Sequence, residues 1–289
     1  MDRYKEIKEQ IISKYNSFPQ NHRKIADYFI NNFDKIPFLN VLDLSKAAGT
    51  SVASIVRFSQ RAGFKGFNEL RDEITGSLRK ELSNKQIFPL IEKHKIKKDL
   101  LTEVANLDIK NINNTLNLIE RKTFDFVIDR ILKSERVFTA GLGISYLLAE
   151  ILAYQLTQVG VSSSILNHTH TVFNENILFL NSNDLLMVFS FPPYSKETIE
   201  AAKFAQERKI DVIAVTNQPA APVTFFSKAN LLVKSENMLF TNSFAAISVL
   251  INALATACAI KDRQRAKRIL KESQEIMIHQ DQVIIESKQ

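Results

Sequence analysis

One cysteine occurs in 289 residues, so no internal disulfide can form. That residue, Cys258, lies in the apolar stretch INALATACAI, where a small buried hydrophobe is expected rather than a reactive thiol. No apolar run reaches the length of a membrane span. The first residues, MDRYKEIKEQ, are charged and lack the apolar region of a signal peptide. Internal repeats and low-complexity tracts are absent. These absences argue against a disulfide scaffold and a membrane protein, and lead to the expectation of a cytoplasmic protein.

What remains is ordinary in proportion. The chain is 45% hydrophobic and 24% charged, with material for one large domain or two modest ones. Its net charge of +7 is unevenly spread. Residues 1–80 carry +5 and the other 209 residues carry +2. The excess points the N-terminal quarter toward a polyanionic partner.

Residues 1–80 read as helical. NHRKIADYFINNF places Ile25, Tyr28, Phe29, Ile30 and Phe33 at helical spacing, between the joints NSFPQN and DKIPF. Residues 81–106 read as a helical connector containing Pro89 and the Lys-rich EKHKIKK, whose charges suit a solvated surface. The helical pattern continues to residue 133, with Leu107, Ile112, Leu116 and Ile119 as apolar markers.

From residue 135 short β-rich runs alternate with helical stretches. Strands are expected at 136–140, 162–166, 185–190, 211–216 and 230–234, and helices at 143–159, 171–180, 195–209 and 243–260. This alternation predicts a five-stranded parallel, doubly wound sheet in an α/β domain spanning 107–289. Its ligand crevice would lie along the strand C-termini. The tail from KDRQRAKRILKE onward is expected to be helical.

VLDLSKAAGTSVASIVRFSQRAGF predicts a helix-turn-helix. Leu42, Leu44 and Ala48 share a short helix that Gly49 ends, and Ser51 caps a second helix. Ile55 and Phe58 point inward, leaving Val52, Ala53, Ser54, Arg57 and Arg61 on outer or flanking faces. The second helix would enter a major groove. Val52 and Ala53 suit thymine methyls, and Arg57 suits a guanine edge or a phosphate. Ser51, Ser54 and Lys65 suit phosphates.

AAGTSVASIVRFSQRAGFKGFNELR resembles the signature of the RpiR/MurR transcriptional regulators, as do KIADYFINN, VRF at 56–58 and GFKGF at 63–67. The resemblance implies an all-α helix-turn-helix domain (1–80) followed by a SIS, or sugar isomerase, domain. It covers nearly the whole chain.

In the second domain Gly141, Gly143 and Ser145, in GLGIS, match the GxGxS turn of SIS domains. A glycine turn before a helix can hold an anion through N–H groups. GLGIS is not GxGxxG, so the dinucleotide fingerprint is missing. After the third strand, phosphosugar-binding SIS domains carry Ser-x-Ser-Gly-x-Ser/Thr. This chain has Ser190, Phe191, Pro192, Pro193, Tyr194 and Ser195. The outer serines match, but the prolines remove one hydroxyl and two backbone donors. Two readings fit: a degenerate pocket serving assembly, or a pocket retuned for another effector, with Tyr194 stacking on a sugar ring. His168 and His170 follow the second strand, where SIS regulators place a polar contact. The HxH spacing has no partner set for a metal. Glu236 resembles a family position near the sugar.

The expectation is therefore a regulator, not an enzyme, without cofactor or metal. It would bind a double-stranded operator and a sugar or sugar-phosphate effector, and form a homodimer or homotetramer through its helix-rich C-terminal surface. The alternative is a sugar-phosphate isomerase, for which the phosphate anchor is damaged and no general base stands out.

Overall fold

Burial of a cluster rich in isoleucine and phenylalanine explains the N-terminal unit. The computed structural model describes residues 3–83, 99–168, 170–238 and 241–279. Helices α1 (Arg3–Ser13), α2 (Gln20–Asn31), α3 (Val41–Ala47), α4 (Val52–Ala62) and α5 (Phe67–Ser83) enclose Ile7, Ile11, Ile25, Phe29, Ile55, Leu70 and Ile74. Phe58 sits among them, its ring 5.1 Å from those of both Phe18 and Phe29. Phe33 is buried as expected but belongs to a 3-10 segment, Phe33–Phe38, rather than to α2. Pro37 lies inside that segment and has no N–H to return to the Phe33 carbonyl, so an α-helical turn cannot close there.

The second unit begins with α6 (Leu100–Leu118) and α7 (Arg121–Lys133). Then β1 (Val137–Ala140), α8 (Ile144–Gln158), β2 (Ser163–Ile165), α9 (Phe173–Ile177), β3 (Leu185–Ser190) and α10 (Lys196–Glu207) alternate. They are followed by β4 (Asp211–Thr216), β5 (Ala229–Leu232), α11 (Ala245–Lys261) and α12 (Arg263–His279). The five strands are all parallel, in the order β2-β1-β3-β4-β5. All six residues of β3 are buried, as a strand covered on both faces requires. Cys258 is buried in this core, which pushes its thiol up to about 12. Arg136 and Asp184, at the N-terminal ends of β1 and β3, pair through bonds of 2.6 and 3.0 Å.

Two expectations need correction. The helix expected over 171–180 is only Phe173–Ile177; Leu178 and Phe179 beyond it are exposed, Phe179 at 81%, so burial does little to extend it. Of the apolar markers in and after α6, Ile112 and Ile119 pack against the core while Leu116 is largely exposed, and the buried residues of the helix are the polar Asn111 and Thr115. The α6 helix also runs unbroken through residues 106 and 107. Pro89 and the EKHKIKK run lie outside the described residues. Among the described residues, no single helix is long and apolar enough to cross a membrane.

Candidate DNA interface and effector crevice

Glycine ends both helices of the helix-turn-helix. After α3, Gly49 takes φ +60°, its N–H donates to Lys46, and the next N–H, of Thr50, donates to Ser45 at 2.9 Å. After α4, Gly63 takes φ +109° and Phe64 N–H donates to Ser59 at 3.0 Å. This left-handed closure satisfies carbonyls that a helix end otherwise leaves bare. Ser51 caps α4: its Oγ accepts from Ser54 N–H at 3.2 Å and lies 2.9 Å from Ser54 Oγ.

Ile55 and Phe58 are fully buried, as the spacing predicts. Ala53, Arg57 and Arg61 are exposed at intervals of four, on one stripe of α4. Ser51 and Lys65 are exposed, and Val52 and Ser54 are half-buried beside them. Leu44 is buried whereas Leu42 faces solvent. His22, on α2, is buried edge-on to Phe58, and its Nδ1 has no hydrogen-bond partner.

In the second unit the strand order reverses between β1 and β3, which makes the crevice at their C-terminal ends the switch point where ligands bind in such sheets. The β1–α8 turn supplies Gly141, Gly143 and Ser145. Gly141 is obligatory, since a Cβ there would lie 2.6 Å from the Ser145 backbone. Gly143 takes φ +60°, open to glycine at little cost. The N–H groups of Ser145 and Tyr146 already donate to Leu142 and Gly143, so the turn keeps part of its donor set to itself.

The β3–α10 turn supplies the rest. Ser190 is 3% exposed and its Oγ has no partner. The Pro192–Pro193 peptide bond is cis, and the Pro192 carbonyl accepts from Asn242 Nδ2 at 2.6 Å. The Tyr194 hydroxyl donates to Asn217 Oδ1 at 2.7 Å and accepts from Gln218 Nε2 at 3.1 Å. Ser195 caps α10, accepting from Thr198 N–H at 3.4 Å. Thr198 Oγ1, buried in that first turn, has no partner. Two unpaired hydroxyls thus sit on consecutive elements of one turn.

The remaining candidates stand farther along this sheet edge. His170, after β2, is exposed, and His168 packs edge-on to Phe173 at 5.6 Å. Glu236, after β5, is exposed and pairs with Lys110 at 3.3 Å.

The helix-turn-helix domain of the rpiR family matches residues 5–83, and the SIS domain matches residues 130–257. The chain belongs to the rpiR family. Over 227 residues, 76% of this chain and 77% of the relative, it is 27% identical to an uncharacterized HTH-type transcriptional regulator of Haemophilus influenzae. In fold it is similar to the Vibrio vulnificus NanR protein complexed with ManNAc-6P, with a TM-score of 0.59 and 24% identity over 94% of this chain and 98% of that one. The sugar isomerase domain of an RpiR transcription factor from Sphaerobacter thermophilus is likewise similar, with a TM-score of 0.59 and 23% identity over 61% of this chain and 98% of that one.

This rpiR-family chain is thus a helix-turn-helix regulator with a SIS domain. Several of its crevice residues escape a reading by motif. Asn217 and Gln218 follow β4 directly, so their place at a strand C-terminus was the available signal. Thr198, three residues after the capping serine, was visible as a polar residue in a first helical turn. Asn242 had no local signal, since its partner is fifty residues away.

Proposed function

We propose that residues 1–80 read a double-stranded operator, that residues 81–106 connect, and that residues 107–289 sense a sugar-class effector and assemble the protein. The stripe of Ala53, Arg57 and Arg61 on a capped, glycine-terminated helix carries the DNA reading. Ala53 meets a base edge, Arg57 a guanine or phosphate, and Ser51, Ser54, Arg61 and Lys65 the backbone. Selection of bound duplexes from a random DNA library tests it. Recovery of a symmetric site that an Arg57→Ala protein fails to enrich supports the reading, and recovery of no sequence overturns it.

The unpaired hydroxyls of Ser190 and Thr198 carry the effector reading. Buried hydroxyls are normally satisfied, and a polyol or phosphate oxygen supplies the missing partner. NanR is a fold relative bound to a sugar phosphate, which supports the ligand class. Because the prolines remove donors and Tyr194 Oη is already engaged, the anion is held less by this turn than by its surroundings. A thermal-shift screen of sugars, amino sugars and their 6-phosphates, repeated on Ser190→Ala, tests the site. A shift lost in the variant supports it, and no shift with any compound overturns it.

Assembly through α8 completes the reading. Ile144, Leu147, Ile151 and Tyr154 are exposed along it at alternating spacings of three and four, the seam of a helix that packs on another. A second copy satisfies both this stripe and the two half-sites a helix-turn-helix regulator reads. Light scattering tests this: a monomeric wild type at micromolar concentration overturns it. The isomerase alternative lacks support from the crevice, where Glu236 is exposed and paired to Lys110 and His170 is exposed.

A further inference from the structure

Polar side chains tie helix α6 to the segment that follows β5. Asn111 is 1% exposed, and its amide grips one residue twice: Nδ2 donates to Glu236 O at 2.8 Å, and Oδ1 accepts from Glu236 N–H at 3.2 Å. The amide therefore stands in for a neighbouring strand. One turn on, buried Thr115 donates to Asn111 O at 2.7 Å and accepts from Lys234 N–H at 2.9 Å. One turn back, Asp108 accepts from Ser243 Oγ at 2.6 Å.

The same segment after β5 reaches the crevice. Ser235 Oγ donates to Asn242 Oδ1 at 3.0 Å, and Ser243 N–H donates to Ser235 O at 3.0 Å. Asn242 Nδ2 then donates to Pro192 O at 2.6 Å. Each half of the Asn242 amide is thus used, one toward the effector turn and one toward the segment that holds α6. The double proline acquires a positive role here. A turn with no N–H at two positions offers a carbonyl as its anchor, and Asn242 takes it.

We infer that residues 233–237 and 241–243 form a latch between the effector turn and α6, with Asn242 and Asn111 as its positioning residues at the two ends. An amide bound to both groups of one peptide residue has a single register, so the α6 end is either engaged or lost. Release leaves buried polar groups unpaired, which makes the two arrangements discrete rather than graded. Helix α6 is the first described helix after the N-terminal unit in the chain. A ligand that moves the Pro192 carbonyl biases the latch, and by linkage the latch biases ligand binding. The inference rests on the crevice and operator readings above.

Hydrogen exchange on the full chain, with no ligand, tests it. In Asn242→Ala the α6 amides of residues 106–118 are expected to exchange at least tenfold faster, and operator affinity to change at least threefold. Ser235→Ala, a milder cut, is expected to act in the same direction. Gln155→Ala, which removes the exposed 2.7 Å bond to Asn252 elsewhere on the domain, leaves α6 exchange at the wild-type rate. Thr115→Ser, which keeps the hydroxyl, also behaves as wild type. Faster exchange confined to residues 190–195, with α6 unchanged, overturns the latch. Faster α6 exchange with unchanged operator affinity overturns its coupling to DNA. A wild type that selects no operator sinks the regulator reading instead, and the exchange comparison still decides the latch.

Discussion

The side-chain amide of Gln10 donates to the carbonyl oxygen of Ala62 at 2.7 Å, and Lys14 Nζ reaches the same oxygen at 3.0 Å. Helix α1 thereby holds the C-terminal end of α4, the helix proposed to read DNA. Gly63 stands at this junction with φ +109°, and a Cβ there would lie 2.9 Å from Gln10 Nε2. Gly63→Ala combines a left-handed backbone with the displacement of that amide. A loss of about 1–2 kcal/mol is expected from the backbone alone. Urea unfolding of the full chain followed over the N-terminal unit checks it, and an unchanged midpoint refutes it.

Ser51 serves two purposes that one substitution separates. Ser51→Ala removes the cap on Ser54 N–H and is expected to cost about 1 kcal/mol of stability. Ser51→Asp keeps a capping oxygen and favours the helix N-terminus electrostatically. It also places a negative charge where a phosphate is to sit. Unfolding midpoints close to wild type together with weaker operator binding are expected for the aspartate. If the aspartate binds DNA as tightly as serine does, Ser51 lies away from the backbone.

Arg57 is exposed at the centre of the stripe between Ala53 and Arg61. Arg57→Ala is expected to weaken specific operator binding by about 1–3 kcal/mol if the guanidinium meets a base edge. A phosphate contact instead weakens all sequences uniformly and lowers the salt dependence by about one charge. Gel-shift titrations on the selected site and on scrambled DNA, at two salt concentrations, tell these apart. Equal affinity of variant and wild type on both DNAs removes Arg57 from the interface.

The helix-turn-helix and the sheet were legible because each rests on local chemistry. Gly49 and Ser51 fix a turn and a cap within three residues, and LLMVFS and DVIAVT, each built on a continuous apolar run, have bounds that match β3 and β4. The placement of Ser190 at a strand end and of Ser195 at a helix N-cap was legible for the same reason. The bonds made by Asn111, Asn242 and Tyr194 were not legible. Each joins residues far apart in sequence, and a buried asparagine looks like a surface one until its partner is placed. In α6 the markers Ile112 and Ile119 do pack against the core, but the most deeply buried positions are the polar Asn111 and Thr115, which an apolar pattern does not reveal.

His22 gives the N-terminal unit an acid sensitivity. Burial, then the charges of Arg61 and Arg57, holds its imidazole below the ordinary histidine value. The unfolded chain therefore binds the proton more readily than the folded one. The contribution is complete above about pH 6.5 and is lost as pH falls toward the lower folded value. The melting temperature is expected to drop between pH 7.5 and 5.5 by more in the wild type than in His22→Gln, which carries no titrating ring. Equal drops in the two proteins show that carboxylates alone account for the acid loss.

The double proline yields the sharpest ligand prediction. Pro192→Ser with Pro193→Gly restores one hydroxyl and two N–H groups beside the unpaired Ser190 Oγ. Each bond from such a donor to a charged group contributes about 1.5–3 kcal/mol. Even one new bond raises affinity for a hexose 6-phosphate at least tenfold, while affinity for the unphosphorylated hexose changes little. The carbonyl at 192 survives the substitution, so its bond to Asn242 remains available and the turn keeps its anchor. Calorimetry with the paired sugars reads the difference directly. Wild-type protein that already binds the phosphate as tightly as the variant shows that other groups replace the missing donors, and the prolines then have no part in excluding phosphate.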